Sequence, residues 1–337
     1  MIFSSVDKGA VKVRRINEVQ SLINRILYER GNIIFESAMD NSEGTKDISA
    51  VVVGMGRHGT EMVKALSWYG QMDGYSLTIN AFDRDPLAED KFRALAPELM
   101  SEKYNGVFVE GEAYYKIRIH SNIDVETNTF AEKISEISNA NFVFVALGND
   151  DINISVAIRL RMYFERIKIH PVIFAVIYNS DQKKALCDIK NFKREKYDIE
   201  FIGDMESSYV SDVIIDSELE EEALQRHLKW GVEEDFWNYE YNYRSSVASA
   251  IHMKARIDQG IPGSQKRTEE LTDEERNIIE ILEHKRWNAY MRAEGYIYSG
   301  SKDSASRNDL GKMHNNLVEF DALSDADKRK DSRVGTK

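Results

Sequence analysis

The chain has 337 residues, which is enough for two ordinary domains or for one large domain with appendages. With 42% hydrophobic residues, 30% charged residues and only four prolines, the composition excludes a disordered or fibrous protein. A formal net charge of −12 argues against a general nucleic-acid binder, because such a surface repels phosphate backbones. A local basic pocket for one small anionic ligand is still compatible with that charge.

Cysteine content and hydropathy narrow the class further. The single cysteine, Cys187, excludes an internal disulfide and a cysteine-cluster zinc site. No apolar run approaches the ~20 residues that a membrane-spanning helix needs, and the first residues lack the pattern of a signal peptide. We therefore expect a cytoplasmic protein that does not insert into a membrane.

The first 46 residues do not follow the pattern of the rest of the chain. Residues 11–16 (VKVRRI) predict a strand, and residues 17–29 predict an amphipathic helix. A turn-rich segment at 41–45 then leads into the next strand. We interpret residues 1–46 as an arm for docking or oligomerisation.

Between about residues 47 and 216, β-branched and aromatic runs alternate with amphipathic helical stretches. The predicted strands are 49–54, 76–83, 115–120, 141–148, 171–178 and 198–202. The predicted helices are 60–70, 86–99, 127–138, 151–166 and 180–195. Several strands are apolar on both faces, as in a parallel sheet covered on both sides. The alternation predicts an α/β fold with a doubly wound parallel Rossmann-like sheet.

After residue 216 the strand signal disappears. Helices are predicted at 217–230, 235–259 and 271–294, with a break at 260–264 (GIPGS) between the second and the third. We therefore expect a Rossmann domain over 47–216, a helical connector over 217–265 and a separate small all-α domain over 266–337.

A glycine-rich turn follows the first predicted sheet strand. The letters GMGRHG at 54–59 match GxGxxG between a strand and a helix, the context in which this motif binds dinucleotides. Gly54 allows the tight turn, Gly56 lets the backbone approach a pyrophosphate, and Gly59 lets helix and strand pack closely. Arg57 and His58 complete the turn and belong to the candidate site.

The second sheet strand ends in acidic residues at Asp83 and Asp85, with Arg84 between them. Asp83 is our candidate acceptor for ribose hydroxyls, although it lies 24 residues past Gly59 where about 20 are usual. An acid there favours NAD or another adenine nucleotide, while Arg57 and Arg84 leave NADP open. The alternative is a Rossmann-like domain that keeps the turn for packing and binds nothing.

A second glycine turn follows the fourth strand and predicts another wall of the same crevice. It contains Gly148, Asn149 and Asp150, and it lies at the carboxyl end of its strand. Asp150 or Asp151 could instead cap the next helix, and the spacing does not decide between these roles.

Three segments, VVVGMGRHG, AFDRD and VALGNDDINISVAIRLR, resemble the TrkA-N or RCK N-terminal domain of potassium-transport regulators over about residues 48–205. The resemblance implies a regulatory domain that binds NAD(H), ATP, ADP or a related nucleotide, is often dimeric and usually lacks catalysis of its own. The sequence departs from the family's Gly-Asp-Asp at Asn149.

The third C-terminal helix concentrates aromatic residues. His284, Trp287 and Met291 share one helix face, a spacing that fits an aromatic core as well as a ligand pocket. The blocks EHKRWNAYMRAEGYIYSG, KMHNNLVEF and DALSDADKRKD resemble the RyR domain, named for its repeats in ryanodine receptors, over about residues 270–331. Tyr296 stands where that family usually has a second Trp. From the resemblance we predict a ligand pocket containing His284, Trp287, Tyr296, Tyr298, Lys302 and His314.

The sequence lacks the motifs of a histidine-based zinc site, of a serine hydrolase and of a P-loop ATPase. The seven histidines show no HxxxH or HExxH spacing, and neither G-x-S-x-G nor a Walker lysine occurs. We therefore expect no metal site and no catalytic residue. The sequence best fits a cytoplasmic, dimeric nucleotide sensor coupled to an RyR-type module, with a role in ion-transport or defence signalling that includes association with a membrane channel. The alternatives are an NAD-dependent oxidoreductase and a protein-interaction module with a vestigial nucleotide site.

Overall fold

The computed structural model describes residues 17–100, 115–186, 196–203 and 217–335, and the backbone of strand residues 3–6, 11–14, 107–109 and 112–113. The strands are β1 (Phe3–Val6), β2 (Val11–Arg14), β3 (Met39–Asp40), β4 (Lys46–Val53), β5 (Tyr75–Phe82), β6 (Val107–Val109), β7 (Glu112–Ala113), β8 (Lys116–His120), β9 (Phe142–Val145), β10 (Val172–Val176), β11 (Ile199–Ile202), β12 (Ile297–Tyr298) and β13 (Met313–His314).

The helices of the same residues follow in chain order. They are α1 (Glu18–Arg30), α2 (Asn32–Glu36), α3 (Arg57–Tyr69), α4 (Ala88–Leu95), α5 (Asn128–Ser135), α6 (Asp150–Arg166), α7 (Ser180–Leu186), α8 (Glu218–His227), α9 (Glu233–Asn238), α10 (Glu240–Asp258), α11 (Asp273–Ala293) and α12 (Asp325–Val334). Single 3₁₀ turns lie at Thr268–Glu270, Ser304–Ser306 and Phe320–Ala322. No described helix has both the length and the apolar character to cross a membrane.

Within the described residues, the main sheet has six parallel strands in the order β11-β10-β9-β4-β5-β8. The two-residue strand β3 pairs antiparallel with the start of β4. The strand order reverses between β4 and β9, which makes the carboxyl ends of these two strands the switch point where ligands bind in doubly wound sheets. The predicted α/β class and Rossmann-like sheet are confirmed.

Alternate residues of β4 enter two different hydrophobic cores, because successive side chains of a strand point to opposite faces. Ile48, Ala50 and Val52 pack with α1, α3, α4, α10 and α11 on one face of the sheet. Val51 and Val53 pack with α5 and α6 on the other face. The sheet is therefore covered on both sides, as its apolar strands predicted.

The predicted strands and helices of residues 47–202 are confirmed, with different ends. β4 begins three residues earlier than predicted, at Lys46, because its first residues pair with β3 and β5. α3 begins inside the glycine turn at Arg57 and not at residue 60. The helix predicted at 180–195 is confirmed as far as Leu186, and its remainder, with Cys187, lies outside the described residues.

Two predictions for the C-terminal part are wrong. The helix predicted at 235–259 is two helices, since Tyr239 has extended backbone angles, φ −113° and ψ 114°, between α9 and α10. The region after residue 266 is not purely helical, because β12 pairs in parallel with β13. Strands of two residues are too short to show a hydrophobic period in the sequence.

The helices α10 and α11 pack onto the sheet domain through α3. The Trp68 ring meets the Tyr290 ring edge to face at 6.3 Å, and the His252 Nε2 atom lies 2.7 Å from the Gln71 carbonyl oxygen. One continuous hydrophobic core therefore runs from the sheet into these helices. The domain boundaries proposed from the sequence stay a prediction.

Candidate functional site

The glycine turn after β4 uses two of its three glycines for its own packing. Gly54 has φ +95°, and a Cβ there would lie 2.4 Å from the Ala146 carbonyl oxygen. A Cβ on Gly59 would lie 1.7 Å from the Gly54 carbonyl oxygen. Any larger side chain at either position would force the turn apart, so both glycines are required whether or not a ligand binds.

Gly56 differs from Gly54 and Gly59. Its angles, φ −67° and ψ −166°, are accessible to any residue, and an added Cβ would meet no atom of the described residues within 4 Å. Neither backbone strain nor packing against the described part of the chain therefore explains a glycine here. Gly56 is exposed at the start of α3, where the backbone N–H groups of the first helical turn have no partners within the helix.

Asp83 connects the end of β5 to the glycine turn. Its Oδ2 atom accepts a hydrogen bond from the Met55 backbone N–H at 2.6 Å, and its Oδ1 atom accepts one from the Asp85 backbone N–H at 2.7 Å. Each carboxylate oxygen has two lone pairs, so each can still accept from a ligand hydroxyl. The sequence predicted the ligand-facing role but not the bond that holds the turn.

A pocket of about 530 Å³ opens beside Gly56 and Asp83, a volume within the usual range for small-molecule sites. It brings together four residues of the sequence-predicted site, namely Gly56, Arg57, Asp83 and Asp85. Its other lining residues are Asn17, Val19, Met55, Thr60, Glu61, Ala88, Lys91, Phe92 and Leu95. The pocket thus has a polar mouth at the strand ends and an apolar wall supplied by α4.

Charged residues stand at the rim of this pocket. Asp85 forms an ion pair with Lys91. The hydrogen bonds that Asp85 accepts from Lys91 and from the Leu87 backbone N–H lower the pKa of its carboxyl group. Arg84 is exposed and does not line the pocket. The rim therefore offers cationic and anionic groups side by side, with Arg57 at the start of α3.

The second glycine turn does not line the pocket. Gly148 has φ +78° and is exposed, and the helix cap is Asn149, whose side chain accepts from the Ile152 backbone N–H at 3.0 Å. The Asp150 carboxylate accepts from the Tyr178 and Asn179 backbone N–H groups at 3.0 to 3.1 Å. The capping role considered for Asp150 or Asp151 is therefore wrong, because Asn149 precedes both at the helix start.

Asn153 of α6 links the ends of β9 and β10, and His58 of α3 contacts Tyr178 just after β10. Asn153 is fully buried, accepts from the Leu147 backbone N–H at 2.7 Å and donates to the Val176 carbonyl at 2.8 Å. His58 Nδ1 lies 3.2 Å from the Tyr178 hydroxyl, and burial together with Arg57 lowers the pKa of its imidazole. His58 faces Tyr178 and does not line the pocket. Sequence reasoning assigned no role to Asn153, although a polar residue among the apolar positions of α6 was a signal.

In the C-terminal region the structure brings together three of the residues predicted for the second pocket. The Trp287 ring is stacked with the His284 ring at 5.9 Å and meets the His314 ring edge to face at 4.9 Å. The Tyr296 ring contacts Tyr241 instead, at 6.2 Å. Tyr298 is half-buried in β12, and Lys302 is exposed.

Both histidines of this aromatic cluster contact other groups of the protein through their ring nitrogens. His284 Nε2 lies 2.9 Å from the Val318 carbonyl oxygen, and its Nδ1 lies 3.3 Å from an Asp331 carboxylate oxygen. His314 accepts from the Asn316 backbone N–H at 3.1 Å, and burial lowers its pKa to about 4. These contacts support a packing role for both rings, and half-buried Trp287 is the member with a partly open surface.

A buried polar link that sequence reasoning missed joins the segment after α4 to the C-terminal region. The Glu98 carboxylate accepts from the Tyr298 backbone N–H at 3.1 Å and from Arg292 Nε at 3.3 Å. Arg292, fully buried, also donates to the Asn288 side chain at 2.8 Å and to the Leu317 carbonyl at 3.1 Å. No local sequence pattern could predict this link, because its ends are almost 200 residues apart in the chain.

Comparison with protein-family models, with curated proteins and with solved structures finds no match for this chain. Within the described residues, no group of three or more His, Cys, Asp or Glu side chains is arranged to hold a metal ion. The features that bear on function are therefore the pocket beside Gly56, its polar rim and the link from α4 to the C-terminal helices.

Proposed function

We propose that the chain binds an adenine nucleotide, such as NAD(H), ATP or ADP, in the pocket beside Gly56. The observation that carries the proposal is that neither the backbone angles of Gly56 nor any described residue around it requires a glycine at this position. A ligand phosphate approaching the backbone does require one, because a Cβ would occupy the space of the phosphate.

The charges at two helix starts support α3 as the phosphate-binding helix. Its first turn contains no acidic residue and includes Arg57, whereas the first turn of α6 contains Asp150 and Asp151. A helix N-terminus carries partial positive charge that attracts anions, and acidic side chains in the first turn offset it. In this proposal the phosphates lie at α3, the ribose hydroxyls bind Asp83, and the base lies along the apolar wall of α4.

Calorimetry of the wild-type chain against NAD, NADH, ATP, ADP and AMP tests this proposal. We expect at least one of them to bind and Gly56→Val to weaken that binding by about 100-fold or more, since it removes the phosphate subsite. The matched control is Gly311→Val, because Gly311 also lacks a positive φ and its Cβ would make only ordinary contacts. No binding by wild-type protein, or equal binding by the Gly56 variant, would reject the proposal.

We further propose a regulatory role, in which nucleotide binding is coupled to an RyR-type module. The helix α4 supplies one wall of the pocket, and the segment directly after it supplies Glu98 to Tyr298 and Arg292. A ligand that moves α4 would therefore act on the C-terminal region through a short path. The motif order that resembles TrkA-N followed by RyR supports the same role, as a dimer acting in ion-transport or defence signalling.

The oxidoreductase alternative has less support. Hydride transfer to a carbonyl needs a proton donor or acceptor within reach of the reacting group. His58, the histidine of the glycine turn, faces Tyr178 and not the pocket. We expect the purified protein to leave NADH unoxidised in a broad carbonyl screen, and turnover above background would favour the oxidoreductase instead.

A further inference from the structure

Two guanidinium groups are buried together between α10 and α11. Arg256 is 0% exposed and Arg286 is 1% exposed. They share one carboxylate, that of Glu283, whose Oε2 atom accepts from Arg256 Nη2 at 2.8 Å and whose Oε1 atom accepts from Arg286 Nη2 at 2.7 Å. One carboxylate neutralises one of the two charges, so this cluster keeps an excess positive charge in a dehydrated interior.

Several N–H groups of the same arginines have no hydrogen-bond partner within the part of the chain that the structure describes. They are Nε and Nη1 of Arg256 and Nη1 of Arg286, all buried. Buried donors without acceptors are costly, and an arginine cannot relieve the cost by losing its proton. A chemical group with acceptor atoms and negative charge would satisfy both needs.

The surroundings of this cluster add positive charge. Arg226 of α8 is buried nearby and donates to the Ser249 hydroxyl at 2.9 Å. Desolvation lowers its pKa to about 9; Arg256 and Arg286 act in the same direction and Glu283 opposes them. Half-buried Lys229 follows α8, and desolvation together with Arg226 and Arg256 lowers its pKa to about 8.

The neighbouring carboxylates face other partners. Asp331 of α12 lies 3.3 Å from His284, although it also acts on Arg286 over a longer distance. Glu280 interacts with Ser332 and Arg276. Glu222 of α8 is hydrogen-bonded to Tyr28, although it also acts on Arg226 over a longer distance. Among these groups, Glu283 alone bonds directly to Arg256 and Arg286.

We propose that a small tetrahedral oxyanion of the phosphate type binds at the unpartnered N–H groups of Arg256 and Arg286. Phosphate offers several acceptor oxygens and one to two negative charges, so it matches both the free donors and the excess charge. A water molecule would accept hydrogen bonds without neutralising the charge. This site is separate from the pocket beside Gly56 and does not depend on the nucleotide proposal.

Thermal unfolding with sodium phosphate, compared with sodium chloride at equal ionic strength, tests the site. The Gly56→Val variant is used beside wild type, so that phosphate bound at the glycine turn does not contribute. We expect a saturable rise in Tm with phosphate in both proteins. Arg256→Met should weaken the phosphate response at least tenfold, whereas Lys254→Met should leave it unchanged, because Lys254 lies on the same helix but pairs with Asp258 at the surface.

A second measurement does not depend on any variant folding correctly. Wild-type protein equilibrated with phosphate and then desalted is denatured, and the released anions are quantified by ion chromatography. About one phosphate per chain is expected. Equal stabilisation by chloride, an unchanged phosphate response in Arg256→Met, or no released phosphate together with no rise in Tm would overturn the proposal.

Discussion

The pocket beside Gly56 and the interior of the C-terminal helices both collect charged residues, but they hold them differently. At the pocket, Asp83 and Asp85 are half-buried, bond to backbone N–H groups and stand beside open space. In the C-terminal helices, Arg292 is fully buried and bonds to the Glu98 and Asn288 side chains and to the Leu317 carbonyl. The first arrangement leaves acceptors available to a ligand, whereas the second ties distant segments together. We therefore expect substitutions at the pocket to affect binding and substitutions at the link between Glu98 and Arg292 to affect stability.

The largest expected effect comes from breaking the buried link. Arg292→Ala should destabilise the protein by about 3–5 kcal/mol, because it removes the guanidinium that faces the buried Glu98 carboxylate and the Leu317 carbonyl. The surface pair of Arg307 and Asp309 serves as the control, since Arg307→Ala should cost no more than about 1 kcal/mol. Urea unfolding of wild type and both variants measures these losses in the free energy of unfolding. A loss of less than about 1 kcal/mol for Arg292→Ala would contradict the structural role.

A pH effect of intermediate size is expected from His314. Burial lowers its pKa to about 4 in the folded chain, against an ordinary value near 6.5, so the unfolded state binds the proton more readily. The stability that depends on neutral His314 is therefore fully present above about pH 6.5. As the pH falls towards 4, the free energy of unfolding decreases by up to about 3 kcal/mol. The stability difference between wild type and His314→Gln should shrink over that pH interval. A difference that does not change with pH would show that His314 is not buried in its neutral form.

Within the glycine turn, the same Gly→Ala substitution should have different effects on the free energy of unfolding at Gly59 and at Gly56. Gly59→Ala should cost about 1–3 kcal/mol, because its Cβ would overlap the Gly54 carbonyl oxygen. Gly56→Ala should change stability by less than about 0.5 kcal/mol, since its Cβ enters open space. Thermal unfolding without ligand measures both. Equal losses would mean that Gly56 is also required by the fold, and the strongest support for the nucleotide pocket would be lost.

Much of the sheet domain could be predicted from the sequence, because each signal there is local. The strands are continuous apolar runs, and GMGRHG sets a tight turn through residues adjacent in the chain. The motif also predicted different roles for its glycines, with Gly54 and Gly59 serving the turn and its packing and Gly56 facing a ligand. What the sequence did not give is the pair of contacts that require the two packing glycines, namely those with the Ala146 and Gly54 carbonyl oxygens.

The sequence alone determined the α/β class, the parallel sheet and the place of the glycine turn at a strand end, since hydrophobic period and turn residues act over a few positions. Only the tertiary structure decided that Gly148 and Asp150 stay outside the pocket, that Glu98 bonds to Arg292, and that Arg256 and Arg286 share Glu283. The physical reason is that the free energy of a buried charge depends on groups brought close by packing, and separation along the chain does not encode those distances.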